Sequence, residues 1–203
     1  KKIIFSSTGS VYGDHTTIPT PENASFPIQT SLYATSKVAC EGLISSYCEG
    51  YDMQSWIFRF VSIIGERYQH GHIYDFYQKL QQKPNELNIL GDGHQKKSYL
   101  YIDDCIRGID KSINYFEDKS NIINLGYDGY CEVNDSVRWI TQYLGLKPDL
   151  IYSGTKRGWV GDNPYIHLDT SKISDTGWSP KVDIEQGVIK TIEYLVNNRW
   201  LFK

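Results

Sequence analysis

Three observations predict an α/β fold built around a parallel sheet. The chain opens in a short apolar run of strand type, Lys2 to Phe5. A long helical stretch follows, then a second apolar run, Gln54 to Val61. A strand–helix–strand order predicts two parallel strands joined by a right-handed crossover. Helical and strand-like segments then alternate to the end, and 203 residues, 40% of them hydrophobic, are enough for a substantial core.

Taken in order, Lys2 to Phe5 reads as a fully buried strand. Residues 6–30 read as a turn and long loop, rich in Thr, Pro, Ser and Asn. Thr30 or Ser31 can cap a helix running to about Glu49, with Ala34, Val38, Leu43 and Ile44 on or near its inner side. Gln54 to Val61 is the next strand. Ile73 to Gln82 is helical and is ended by Pro84. Leu87 to Leu90 and Tyr99 to Ile102 read as short strands around a polar turn, and Asp103 as the cap of a helix reaching Tyr115. Asn121 to Leu125 is a strand, and Val133 to Leu144 an amphipathic helix stopped by Gly145. Leu150 to Tyr152 and Ile166 to Leu168 read as short strands, and the last helix runs from Ile184 to about Asn197.

A net charge of −3 argues against nucleic acid as the general partner. No apolar run approaches the ~20 residues of a membrane helix. Cys40, Cys48, Cys105 and Cys131 are scattered, with no C-x-x-C. That pattern predicts free thiols in a cytoplasmic protein rather than disulfides or a zinc site.

Tyr33 and Lys37, in the run Ser31-Leu32-Tyr33-Ala34-Thr35-Ser36-Lys37, are the most informative pair. A spacing of four puts both side chains on one helix face, one turn apart. A lysine ammonium near a phenol stabilises the phenolate. The result is a base able to take a proton from an alcohol near neutral pH. The pair follows Ser6-Ser7-Thr8-Gly9-Ser10-Val11-Tyr12-Gly13, where a strand runs into a polar turn. A hydroxyl at that strand end can hydrogen-bond an alcohol beside the phenol.

Together these two runs resemble the active-site segments of the extended short-chain dehydrogenases/reductases, in their nucleotide-sugar epimerase/dehydratase branch. The resemblance extends over nearly all 203 residues. It implies that residues 1–67 are the C-terminal half of a Rossmann-type sheet. Residues 68–203 would be mainly a small α/β substrate-binding lobe, with some segments returning to the Rossmann part. It implies NAD as cofactor and a nucleotide sugar, by default a UDP-sugar, as substrate.

Residue by residue, the resemblance makes Tyr33 the base, Thr8 the hydroxyl that positions the substrate alcohol, and Lys37 also a ligand of the nicotinamide ribose. Ser6 and Phe60 complete the cofactor-binding set. Ser10 is a second hydroxyl near the sugar. Ser62 stands where relatives often carry Asn, and it can still donate one hydrogen bond. His72 lies at a substrate-contacting helix start; no acidic or Cys partner recurs near His70 and His72 at metal-ligand spacing.

Gly91-Asp92-Gly93-His94-Gln95-Lys96-Lys97-Ser98-Tyr99 resembles the family's diphosphate-gripping stretch. It assigns Lys97 to the diphosphate and Tyr99 to a phosphate or sugar contact. Lys97 replaces an Arg and supplies charge without a bidentate fork. Arg157 fits a second diphosphate ligand, and Asp162 a contact to nucleotide or sugar.

The implied chemistry is epimerisation at C4 through a transient 4-keto sugar. Dehydratases usually have Thr-Asp-Glu where this chain has Thr8-Gly9-Ser10, which points to the epimerase. Two other readings stand beside it: another NAD-dependent sugar-nucleotide dehydratase, decarboxylase or reductase, and a non-catalytic remnant that binds sugar nucleotide. The 203 residues hold no G-x-G-x-x-G turn, which relatives use for the dinucleotide pyrophosphate. The chain is therefore expected to be the later part of a longer protein, inactive alone. A homodimer, or pairing of Lys2 to Phe5 with a missing N-terminal half, is expected to cover that strand.

Overall fold

The computed structural model describes residues 1–14, 17–29, 31–154 and 165–202. Strand β1 (Lys2–Ser6) runs into a 3-10 turn at Gly9–Tyr12, and helix α1 (Leu32–Gly50) leads to β2 (Gln54–Phe60). After one residue β3 (Ser62–Ile64) begins, followed by α2 (His72–Gln82) and β4 (Glu86–Ile89). Next come β5 (Lys96–Lys97), β6 (Tyr99–Tyr101), α3 (Ile102–Tyr115) and β7 (Ser120–Leu125). The described remainder is β8 (Cys131–Glu132), α4 (Val133–Leu144), β9 (Asp149–Tyr152), α5 (Ser171–Ser174) and α6 (Ile184–Asn197), with a 3-10 turn at Arg199–Phe202.

The sheet that matters for the site has the order β1-β2-β7, all parallel. Ile4 pairs with Trp56 across one ladder, and Ile57 with Ile122 across the other. β2 is the middle strand, and its five central residues, Ser55 to Arg59, are all buried. That explains its near-continuous apolar run, since a parallel strand covered on both faces has no solvent side. β1 is the edge of this sheet, as expected, but it is not fully buried: its burial alternates and Ile4 is 57% exposed, so one face is uncovered.

Helix ends follow their chemistry. Ser31 caps α1 by accepting from the Ala34 N–H, and Asp183 caps α6 by accepting from the Gln186 N–H at 2.8 Å. Each such cap is worth about 1 kcal/mol. α4 starts in a capping box of Glu132 and Asp135 and ends at Gly145, whose φ of 66° suits glycine. On α1, Ala34 is buried and Val38 packs on the core, but Leu43 is 62% exposed; Glu41 and Cys48 take the inner positions instead.

Other expectations are corrected. α3 begins at Ile102 with Tyr101 at the cap position, so Asp103 lies in its first turn and does not cap it. Buried Asp104 instead accepts the Lys181 and Val182 N–H groups, both at 3.0 Å, and pins the approach to α6. The strands expected around the polar turn, β4 and β6, do form, but they pair elsewhere: β4 with β9 and β6 with β3, both in parallel. Ile166 to Leu168 is not a strand; only a bridge from Thr20 to Leu168 forms there.

Two cores result. One lies against the β1-β2-β7 sheet and includes Val11, Trp56, Phe58, Ile123, Leu125 and Trp178. The other gathers α2, α4 and α6 around Ile73, Phe76, Leu80, Val137, Val188 and Leu195. Cys48, Cys105 and Cys131 are buried free thiols and Cys40 is half-buried. No described helix is long and apolar enough to cross a membrane.

Candidate active site

The three parallel strands finish on one side of the sheet, at Ser6, Phe60 and Leu125. In open parallel sheets, ligands occupy the crevice beyond these carboxyl ends. Lys37 reaches this end from α1. Its Nζ donates a 2.7 Å hydrogen bond to the Ser6 carbonyl and lies 4.9 Å from the Phe5 ring centroid. It is also 5.7 Å from the Tyr33 ring centroid, so the pair expected from the four-residue spacing does assemble on one face. Tyr33 is 54% exposed, leaving its phenol open to a ligand.

The Ser7–Tyr12 turn faces the same helix. Thr8 is buried and caps the 3-10 turn, its Oγ1 accepting from the Ser10 N–H at 3.1 Å. A hydroxyl has one donor and two acceptor sites, so this cap leaves the Thr8 proton and one lone pair for another partner. Ser10 is half-buried and enters this cap through its main chain. Ser6 contributes its carbonyl, while its side chain is exposed. Gly9 is forced by close approach: a Cβ there would sit 2.7 Å from Ile166 Cγ2 and 3.1 Å from the Phe60 carbonyl oxygen.

A second group of predicted residues forms along β3 and β6. Phe60 ends β2 half-buried, stacked on Phe58 at 6.1 Å. Two residues on, exposed Ser62 pairs with Tyr99 in the β3–β6 ladder. Buried Tyr99 places its hydroxyl 2.9 Å from Nδ1 of His72, the first residue of α2. Burial, aided by the nearby Lys97 charge, pushes the His72 imidazole down to about 3, so the ring is neutral at ordinary pH. Lys97 is half-buried in β5, opposite Cys131. Arg157 and Asp162 lie outside the described residues.

A buried polar cluster that no sequence motif marks lies behind the Tyr33–Lys37 face. Arg59 and Glu41 are 2% and 4% exposed and pair at 2.7 Å, with Arg59 Nε also donating to Glu41 at 3.2 Å. Glu41 accepts from the Ser7 hydroxyl as well. Arg59 Nη1 donates to the Tyr12 hydroxyl at 2.7 Å and to the Glu22 carbonyl at 2.9 Å. Tyr12 in turn donates to Asn124 Oδ1 at 2.9 Å. Burial alone would pull the Arg59 guanidinium down; hydrogen bonding to Glu41, the Tyr12 hydroxyl and the Glu41 charge outweigh it, holding Arg59 above its usual value. Burial pushes the Tyr12 phenol up, against the opposing pull of Arg59, so it remains a neutral donor. Two signals were in the sequence. Arg59 interrupts an apolar strand, and a charge there requires a partner. Glu41 continues the i, i+4, i+8 face of Tyr33 and Lys37.

The donors present fit the nicotinamide end of a dinucleotide. An ammonium carries three N–H donors, and Lys37 spends one on Ser6, leaving two for ribose hydroxyls beside an exposed phenol. A parallel α/β sheet thus carries a Tyr-x-x-x-Lys helix and a hydroxyl-bearing turn together at its strand ends.

Residues 1–126 match the family described as the NAD dependent epimerase/dehydratase family, and the chain belongs to it. NAD is the cofactor of that family. Among similar proteins, a crystal structure of UDP-galactose 4-epimerase is 31% identical, with a TM-score of 0.87 over 98% of this chain and 64% of its own. The UDP-glucose 4-epimerase of Thermotoga maritima, solved with UDP-glucose, is 28% identical with a TM-score of 0.86, over 98% and 64%. A dTDP-D-glucose 4,6-dehydratase of Mus musculus is 27% identical over 98% of this chain and 56% of that protein. The chain thus spans less than two thirds of the length of these relatives.

Proposed function

We propose that the protein carrying this chain interconverts the C4 epimers of a nucleotide sugar, by default a UDP-sugar. The observation that carries this reading is the turn Thr8-Gly9-Ser10 set against Tyr33 and Lys37. A dehydratase of this family usually places Asp and Glu after the Thr. Here the second position has no room even for a Cβ, because Ile166 and the Phe60 carbonyl fill the space. The acidic pair that would assist loss of water is absent. The alcohol-oxidising pair remains.

When bound, NAD supplies the two-electron acceptor that later returns the hydride, so there is no net oxidation. The Tyr33 phenolate takes the proton of the sugar 4-hydroxyl and later gives it back to the epimerised oxygen. Thr8 hydrogen-bonds the same hydroxyl and holds it toward Tyr33. Lys37 favours the phenolate by its charge and binds ribose hydroxyls with the donors not spent on Ser6. Ser6 and Phe60 border the cofactor at the strand ends, and Ser10, Ser62 and His72 line the sugar side. Lys97 and Arg157 hold the diphosphate, with Tyr99 and Asp162 as further nucleotide or sugar contacts. The sugar can then turn about that anchor and present its other face. On this reading residues 1–67 carry the cofactor site, and residues 68–203 mainly form the substrate lobe.

The test is product analysis. The full-length protein, incubated with UDP-glucose and followed by NMR, is expected to yield the C4 epimer. Accumulation of a 4-keto-6-deoxy sugar nucleotide would show dehydration and overturn the proposal.

A further inference from the structure

We infer that Glu41 and Arg59 are positioning residues that set the Tyr33–Lys37 face against the Thr8 turn; this rests on the catalytic reading of those residues given above. Tyr33, Lys37 and Glu41 lie at i, i+4 and i+8 on α1 and so share one side of it. Two successive residues, Ser6 at the end of β1 and Ser7 just after it, are tied to that side. Lys37 Nζ binds the Ser6 carbonyl at 2.7 Å, and Glu41 accepts from the Ser7 hydroxyl. The Ser7 N–H is itself fixed to the Phe58 carbonyl of β2 at 2.8 Å. Thr8 is the next residue, so its hydroxyl cannot move independently of the helix.

Arg59 closes the arrangement from the other end of the turn. One guanidinium spans Glu41 on α1 and Tyr12 at the end of the 3-10 turn. The rings of Tyr12 and Phe26 each have their centroid 4.8 Å from the guanidinium carbon. Tyr12 passes the tie to Asn124 of β7, whose Nδ2 holds the Thr20 and Asp169 carbonyls at 2.9 and 3.0 Å. Thr8 to Val11 therefore lies between two anchors, Ser7 and Tyr12, that meet at one buried ion pair. A well-packed apolar pair could fill this volume with equal stability. What a carboxylate–guanidinium fork adds is a fixed relative orientation of the elements it joins. The fork sits one helical turn beyond Lys37, and its hydrogen bonds go to Ser7, Tyr12 and the Glu22 carbonyl rather than to Thr8, Tyr33 or Lys37.

The experiment uses the full-length protein and three variants. In Glu41→Met/Arg59→Met the buried charges leave together, so the fold is expected to survive. Its kcat should fall by about 10²-fold, the usual consequence of misplacing a catalytic group by ~1 Å. KM for UDP-glucose should hardly change. Ser7→Ala keeps the ion pair and removes only its tie to β1; kcat should fall by about tenfold with circular dichroism unchanged. Wild-type kcat in a folded double variant would overturn the inference. If the double variant does not fold, Ser7→Ala decides: lowered kcat at constant KM supports positioning, and wild-type kcat overturns it. Tyr33→Phe separates the two readings. Wild-type activity in Tyr33→Phe removes the catalytic reading itself, whereas an inactive Tyr33→Phe beside fully active Ser7→Ala and double variants removes only this inference.

Discussion

Lys37 donates a 2.7 Å hydrogen bond from its ammonium to the main-chain carbonyl of Ser6, so helix α1 is fastened to the end of β1. A main-chain acceptor cannot change rotamer. The ammonium is therefore held at the strand end, 5.7 Å from the Tyr33 ring centroid. Lys37→Met keeps the aliphatic stem and removes the charge. We expect it to weaken NAD binding in the full-length protein by about 1.5–3 kcal/mol, the worth of a charged hydrogen bond. Calorimetry with NAD checks this; unchanged affinity would detach Lys37 from the cofactor.

Gly9 offers a sharper steric test. Its missing Cβ would meet Ile166 and the Phe60 carbonyl. Gly9→Asp, which brings in the first acidic residue of a dehydratase-type turn, should destabilise the fold by about 1–3 kcal/mol. Urea denaturation of wild type and variant measures it. A variant as stable as wild type would show that the turn can accept the side chain.

His72 predicts a pH dependence. Its folded pKa is pushed down to about 3, below the unfolded value near 6.5. Between those values the unfolded chain binds the extra proton and the folded chain does not. Stability therefore falls as pH drops from about 6.5 toward 3, with a slope from this group of at most ~1.4 kcal/mol per pH unit. His72→Asn should flatten the decline between pH 6 and pH 4 in denaturant titrations. An unchanged slope would mean that His72 protonates freely in the fold.

Lys97 and Arg157 are proposed diphosphate ligands. Lys97→Ala and Arg157→Ala should each weaken binding of UDP-glucose by about 1.5–3 kcal/mol while leaving binding of UDP-free sugar unchanged. Equal UDP-glucose affinity in wild type and both variants, by calorimetry, would remove the assignment.

The legible parts of this fold carry their signals locally. Ser31, Gly145 and Asp183 mark helix ends through their own hydrogen bonds or φ, and the bounds of α1, α4 and α6 follow from them. β3, β5 and β8 are two or three residues long and exist because distant partners pair with them, which no local periodicity records. The exposure of Ile4 was not legible, because an apolar strand reads alike with one face covered or two. In the site, Tyr33 and Lys37 were legible because four residues of helix bring them together. Arg59 and Glu41 are 18 residues apart and meet across a helix and a strand, so only a charge inside an apolar strand and a carboxylate on the Tyr33–Lys37 face hinted at the pair.

The central claim, that Tyr33 is the acid–base group of a C4 epimerase, is tested most directly by the turnover of Tyr33→Phe on UDP-glucose. Only a hydroxyl is lost, from a ring that is half exposed and whose packing persists. The account predicts a kcat reduced by roughly 10²–10⁴-fold, the usual contribution of a positioned acid–base group, with an unchanged melting temperature. Turnover near that of wild type would contradict it.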